Sequence, residues 1–481
     1  TIPSGVIITV DASSAECADL FISSGGTLKY SGGYTLNVYG DWTNNGSYEG
    51  GTNGVVEFSG TNSATISGNT SFEELIISKG SLNTTLTING VNAVTGGGSL
   101  TMNGGLLTIP GGNSFTVNPS QEVFIEETAG FDVTGGTLNT GNFKITNVGL
   151  IRISSGTANL GTASGNEVHT QVDGAFIVSG GNVNISGRLY NSASGTLNPP
   201  GVSSGIHISN GTVTLATVGN GLSSVGSLNV TAAGTFDFTG GTIVFQNPSS
   251  AATELDLGMI SGGGTKNTVG GTFQFGNGST SPGSVFNISS NILINRITSN
   301  ANADLELSGD LLVNQLALNS ASSVDLNGNS LQRAVSGTGP YTFPIDDGNG
   351  NKIPVTVTLI SGTLGANPYI EVTTTNSKYF PHNESDNDYL NRYWTITTNG
   401  ITSPVFDVTA TYTNTDISGT ETEIAAGGWP GGLPWEKYSI VNAGANTLAA
   451  NNVSATTFIL TGITSDPPTV SINNGNVNVE I

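Results

Sequence analysis

The residues of this chain best suited to chemistry are few and far apart. Gly201-Val202-Ser203-Ser204-Gly205 fits the G-x-S-x-G spacing that puts a nucleophilic serine on a sharp strand-to-helix turn. That device needs a helix behind it and an acid and a histidine downstream. Here the pentapeptide follows Pro199-Pro200 and precedes the alternating Ile206-His207-Ile208, so it reads as an accident of a Gly/Ser-rich chain. The three histidines, His169, His207 and His382, have no ligand spacing such as H-x-x-x-H and read as ordinary surface or core residues. Asp346-Asp347-Gly348-Asn349-Gly350-Asn351 resembles the opening of a calcium loop, with Asp346, Asp347 and Asn349 as the candidate ligands. The distal Glu of such a loop is missing. The flanking Thr342-Phe343-Pro344-Ile345 and Ile353-Pro354-Val355 favour a hairpin turn instead. Glu384, Asp386 and Asp388 form a second calcium candidate. Calcium apart, no cofactor is expected.

Catalysis on polysaccharides would need clustered carboxylates, or a basic residue beside a bound cation. Basic residues are sparse, and the carboxylates show no cluster from one repeat to the next. Arg188 with Asp173 is the best pair available, and no catalytic residue is assigned. Arg392-Tyr393-Trp394 could offer an aromatic platform to a sugar, but a Trp flanked by strand formers reads more readily as core. Cys17 is the single cysteine, which excludes an internal disulfide and reads as a small buried hydrophobe.

The bulk composition narrows the partners. With 12 Lys+Arg against 34 Asp+Glu the net charge is −22, and the cations are scattered. Nucleic acid and anionic lipid both need clustered cations, so neither is an expected partner. Only 10% of residues are charged, yet 36% are hydrophobic and patterned, which argues for folded β-structure over disorder. No apolar run approaches the ~18 residues of a spanning helix, so no membrane insertion is expected.

What must position any site is strand and turn. Residues 304–331 alternate at Leu305/Leu307, Leu311/Val313, Leu316/Leu318 and Val324/Leu326, with Asn, Ser, Asp and Gly between. This predicts short half-buried strands linked by tight turns. A helix would need apolar residues at i, i+3, i+4 and i+7. Similar text recurs upstream, and Gly-Gly-Thr returns at 50–52, 135–137, 240–242 and 270–272, with the variant Gly180-Gly181-Asn182. The spacing is irregular, as in a β-solenoid whose coils vary in length, with Gly and Asn at corners and Asn stacking in ladders. Around 335–345 the strands lengthen and three of the four Trp appear, at 394, 429 and 435. The expected architecture is all-β: a solenoid stalk over 1–335, an antiparallel β-sandwich over 340–465, then a linker and the start of a further β element over 466–481.

Several stretches carry a resemblance. Thr35-Leu36-Asn37-Val38-Tyr39-Gly40-Asp41-Trp42, Gly54-Val55-Val56-Glu57-Phe58-Ser59-Gly60, Val324-Asp325-Leu326-Asn327-Gly328 and Leu390-Asn391-Arg392-Tyr393-Trp394 are similar to segments of large secreted adhesin-like surface proteins of Bacteroidetes. The order, repeats before the Leu-Asn-Arg-Tyr-Trp domain, is also similar. The resemblance implies export to the cell surface, commonly by type IX secretion, and brings no catalytic motif. The expected role is an extracellular structural or adhesive segment, not an enzyme. It would be a rigid stalk within a longer chain or fibre, making weak multivalent contacts with surface glycans or cell-surface proteins. The alternative is a carbohydrate-binding module or polysaccharide-active enzyme with a groove on the solenoid.

Overall fold

The computed structural model describes residues 1–465 except 14, 96–98, 119–120, 198–201, 222–225, 250–254, 380–386 and 432–434. Beyond 465 it describes the paired strands Val470–Asn473 and Asn476–Val479. About 60% of the chain is strand, no α-helix occurs among the described residues, and a parallel β-solenoid of about 13 turns dominates. Two compact units emerge: Thr1–Asn287 with Asn295–Ala303, and Ile288–Ile294 with Asp304–Ile481. Sequence reading puts the boundary at 335–340. The units divide earlier, whereas pairing changes from parallel to antiparallel at Leu331–Ala334.

In the first unit the strands stack in parallel into three ladders. One runs through Val38, Phe58, Ile77 and Met102. A second runs through Leu107, Phe131, Ile151, Phe176, Ile206 and Phe236. The third runs through Leu138, Ala158, Val183, Val213, Ile243 and Phe273. All of these side chains point inward and are buried. Period-two alternation makes this possible, since every second residue of Thr212–Leu215 or Thr242–Phe245 faces the axis. Each buried aliphatic or aromatic side chain contributes about 1.5–3 kcal/mol, so the stack gains stability turn by turn.

The Gly-Gly-Thr punctuation marks one corner of the coil. Gly181, Gly211 and Gly241 have φ of +74°, +84° and +81°, a region that favours glycine. A Cβ at Gly241 would lie 2.6 Å from the carbonyl oxygen of Gly211, and one at Gly211 would lie 2.7 Å from that of Gly181. Corner therefore rests on corner, and the next residues, Asn182, Thr212 and Thr242, start the third ladder in register. Not every Gly/Ser/Asp cluster is a tight turn. Ala303–Ala317 runs as one strand through Ser308-Gly309-Asp310, and Leu100–Pro110 runs as one through Gly104-Gly105. At these places one strand passes from one ladder to the next without a turn, and Gly105 takes up the first of these corners at φ +96°.

The second unit opens with parallel pairs, Leu305 with Val324 and Leu311 with Leu331, and then turns antiparallel. Two long strands, Val355–Thr375 and Tyr393–Thr411, run beside each other for most of their length. Each is shared between two sets of neighbours. Residues 355–359 pair with Gly339–Phe343, whereas 369–372 pair with Leu331–Ala334. On the other long strand 406–411 pair with Thr447–Val453, whereas 393–397 pair with Thr457–Thr464. The latter strand continues to Ile424–Trp429 and then Glu436–Ile440. Trp394, 0% exposed, sits in the core.

Candidate functional site

Charged side chains of opposite sign are aligned from turn to turn of the solenoid. Glu122, Lys144, Glu167 and Arg188 occupy successive turns with alternating sign. Lys144 Nζ lies 4.0 Å from Glu122 and 3.2 Å from Glu167, and Arg188 pairs with Glu167. Glu167 and Arg188 are direct partners in the ladder. Nearby, Arg152 donates two hydrogen bonds to Asp132, at 2.8 and 2.7 Å. The partner of Arg188 is thus Glu167, not the Asp173 picked from sequence.

His169, two residues after Glu167 on the same outward side, meets Tyr190 of the next turn with ring centres 4.3 Å apart and the rings tilted by 34°. Its Nε2 lies 2.9 Å from Ser192 Oγ. Burial lowers the imidazole pKa, with Lys144 and Arg188 adding to that and Glu167 opposing it. Ser192, His169 and Glu167 have the order of an acyl-transfer triad. The contact from Nδ1 to Glu167 is 3.8 Å, however, too long for a hydrogen bond that would fix the ring. The three act as links in the stack. Ser203, the serine of the G-x-S-x-G match, lies in a two-residue strand paired with Thr196, and the strand Gly205–Ile208 follows where an elbow needs a helix. His207 meets the carbonyl of Ser204 at 3.0 Å and lies 3.9 Å from Asp237.

No known protein family, curated protein or solved structure matches this chain. Its chemistry must be read from the residues alone.

At the first calcium candidate the hairpin reading describes the geometry. Asp346 pairs with Lys352 across the turn. Asp346 accepts from the Gly348 amide at 2.9 Å and from Ser323 Oγ at 2.7 Å. Asp347 accepts from the amides of Asn349 and Asn351, at 2.9 and 3.0 Å, and from the Asn351 side chain at 2.9 Å. Burial pushes the Asp346 carboxyl up. Burial pushes Asp347 the same way, but its hydrogen bonds and the nearby Arg392 outweigh that and hold it below the usual range. Asp388 accepts from the Thr420 amide at 2.6 Å, while Glu384 and Asp386 lie outside the described residues, as does His382. Among the described residues no three His, Cys, Asp or Glu side chains are grouped to hold a metal ion. A polar hollow of about 340 Å³ adjoins the turn, lined by Asp325, Asp346, Asp347, Thr374 and Arg392. The guanidinium is buried and spoken for, with Nε donating to Asp416 at 3.0 Å.

Two groups, Lys79 and Asp256, escaped the sequence reading. Lys79 is buried, and its ammonium donates to the carbonyls of Tyr39 and Ser59 in two earlier turns, both at 2.9 Å. Asp256 is 0% exposed and accepts from the amides of Ser249 (2.7 Å) and Asn287 (2.9 Å) and from Ser249 Oγ (3.0 Å). Burial pushes its carboxyl up to about 7. Cys17 is half-buried, not fully buried as expected, and burial raises its thiol pKa, which keeps it protonated. No helix among the described residues is long and apolar enough to cross a membrane.

Proposed function

We propose that this chain is a segment of an extracellular structural or adhesive surface protein. The solenoid is the rigid stalk, and the antiparallel strands form a two-layer β-sandwich. The observation that carries this reading is the continuity of the stack. Core ladders, glycine corners and charged side chains all lock each turn to the next, which suits a load-bearing rod. The sandwich reading draws support from the two long strands, whose halves serve different neighbours, and from Phe406 and Phe458, whose rings meet at 6.1 Å. The resemblance to secreted Bacteroidetes surface proteins supports placement outside the cell, and the charge of −22 favours glycan or protein partners over nucleic acid. Function is mechanical: weak contacts on many copies sum by avidity.

Bead adhesion under flow tests the proposal. Beads carrying the chain at high density should be retained on cell-surface glycoprotein films, while the soluble chain washes off. Loss of retention at every density, or turnover of a polysaccharide by the purified chain, would overturn it.

A further inference from the structure

In the second unit Tyr393 and Trp394 are consecutive in one strand, so their side chains leave on opposite faces. Trp394 fills the core, whereas Tyr393 is half-buried on the outer face. Tyr393 lies opposite Thr461 and Trp429 opposite Ile459, two residues along the same strand, so both rings rise on that face. Tyr379 joins them, its ring centre 4.9 Å from Tyr393, 6.1 Å from Trp429 and 6.1 Å from Trp435. All four rings are half-buried, so each keeps some surface in water.

We propose that Tyr379, Tyr393, Trp429 and Trp435 form a binding face for a single chain of neutral polysaccharide. This rests on the adhesive reading above and assigns its contacts to the second unit. A pyranose has an apolar face of C–H groups and a rim of hydroxyls, which matches aromatic rings that are apolar on the face and polar at one edge. The net charge of −22 disfavours polyanionic glycans. Of the cations in this region, Lys378 lies over the Tyr389 ring at 4.4 Å and Lys437 stands opposite Gly427. Ring angles decide between a crystalline surface and a single chain. Tyr379 meets Tyr393 at 68°, Trp435 at 73° and Trp429 at 39°, so the rings cannot lie together on one flat crystal face. A flexible single chain can follow them.

The test is native affinity electrophoresis of the whole chain in gels containing soluble starch, hydroxyethyl cellulose, xylan or galactomannan, with alginate as the polyanion. At least one neutral polymer should retard the chain and alginate should not. Trp435→Ala and Tyr379→Ala, both outside the long paired strands, should each weaken that retardation at least tenfold, with thermal unfolding as the check on folding. Asn159→Ala in the solenoid should leave it unchanged. No retardation by any neutral polymer, or retardation that survives both aromatic substitutions, rejects the binding face. If coated beads still adhere after that rejection, the adhesive role stands with its contacts elsewhere. If beads fail while gel retardation stays sensitive to Trp435, the binding face stands and the adhesive role falls.

Discussion

The two units of this chain solve the same problem, burying a β-core, in opposite ways. The first repeats one solution turn after turn, and a given inward residue touches mainly its counterparts above and below. Phe245 and Phe275, one turn apart, are stacked at 4.7 Å and 6°. The second unit closes once, through long bent strands whose partners are far away in sequence, such as Val355 with Ala410. A repeat stack has stability that is roughly a sum over neighbours, so damage should stay local. A unit closed by distant pairs should fail as a whole.

The two buried tryptophans separate these behaviours, and the largest effect is expected there. Trp42 and Trp394 are each 0% exposed, and truncation of either to Ala should cost about 3–5 kcal/mol. Trp42 is surrounded by Tyr48, Phe58 and Phe72 of nearby turns, with rings 5.3 to 6.3 Å away. Hydrogen exchange in Trp42→Ala should accelerate over the early turns and leave the ladder beyond about residue 120 protected. In Trp394→Ala, acceleration should spread over all the strands from 355 to 464. Equal spread in the two variants would abolish the distinction.

A corner substitution probes the stack at its tightest contact. Gly241→Ala combines positive φ with a methyl group 2.6 Å from a carbonyl oxygen, so it should cost about 1–3 kcal/mol. Gly431, also at φ +81°, has nothing within 4 Å of an added Cβ. Gly431→Ala should therefore bear only the conformational part, about 1 kcal/mol. Thermal melts of the two variants measure the difference. Similar losses would mean that corner-on-corner contact adds nothing.

The units also differ in how they bury a carboxyl group. In the second unit Asp416 is paired with Arg392, both at 2% side-chain exposure. In the first, Asp256 accepts from the amides of Ser249 and Asn287 and from the hydroxyls of Ser227 and Ser249, and no cation pairs with it among the described residues. Held up to about 7 against an ordinary 3.8, the Asp256 carboxyl binds a proton more readily in the folded chain than in the unfolded one. Its stabilising contribution is complete below the unfolded value and is lost as pH rises through about 7. The wild type should thus lose stability between about pH 4 and pH 8 relative to Asp256→Asn, whose neutral side chain does not titrate. Parallel melting profiles of the two proteins over that range would remove Asp256 from the account.

These contrasts show what the sequence could and could not reveal. Alternation at Leu305/Leu307 and Leu311/Val313 marks buried positions correctly because the period of a strand is a local property. Leu316 and Leu318, with the same pattern, are only half-buried and line an apolar hollow of about 290 Å³. The core reading of Trp394 and the hairpin at Asp346–Lys352 are legible for the same local reason. The stacking of Glu122, Lys144, Glu167 and Arg188 is not. A turn takes twenty residues between Leu36 and Val56 but thirty between Val213 and Ile243, so no fixed offset tells which side chains meet. The four aromatic rings escape for a similar reason. Tyr379, Tyr393, Trp429 and Trp435 are gathered by antiparallel pairing over more than fifty residues of chain.

The smallest expected effect concerns polar side chains on the outer faces. In the solenoid Asn139, Asn159 and Asn184 are partners in register on successive turns. Asn184 donates to Asn159 Oδ1, and Asn159 donates in turn to Asn139 Oδ1, each at 2.8 Å. Asn159→Ala breaks both bonds and should cost about 1 kcal/mol, since its half-buried neighbours keep some access to water. In the second unit Thr342 and Thr356 make the comparable cross-strand contact, at 3.3 Å and in solvent. Thr342→Ala should cost no more than a few tenths of a kcal/mol, the low end for a cross-strand pair. The Asn array has a further property that the isolated Thr pair lacks. Each internal amide both gives and receives, so its bonds polarise one another. A double-mutant cycle on Asn139 and Asn184 tests this directly, because those two residues meet only through Asn159. Coupling indistinguishable from zero would make the array two independent contacts. A measurable coupling would show that the outer face of the solenoid, like its core, carries stability from one turn to the next.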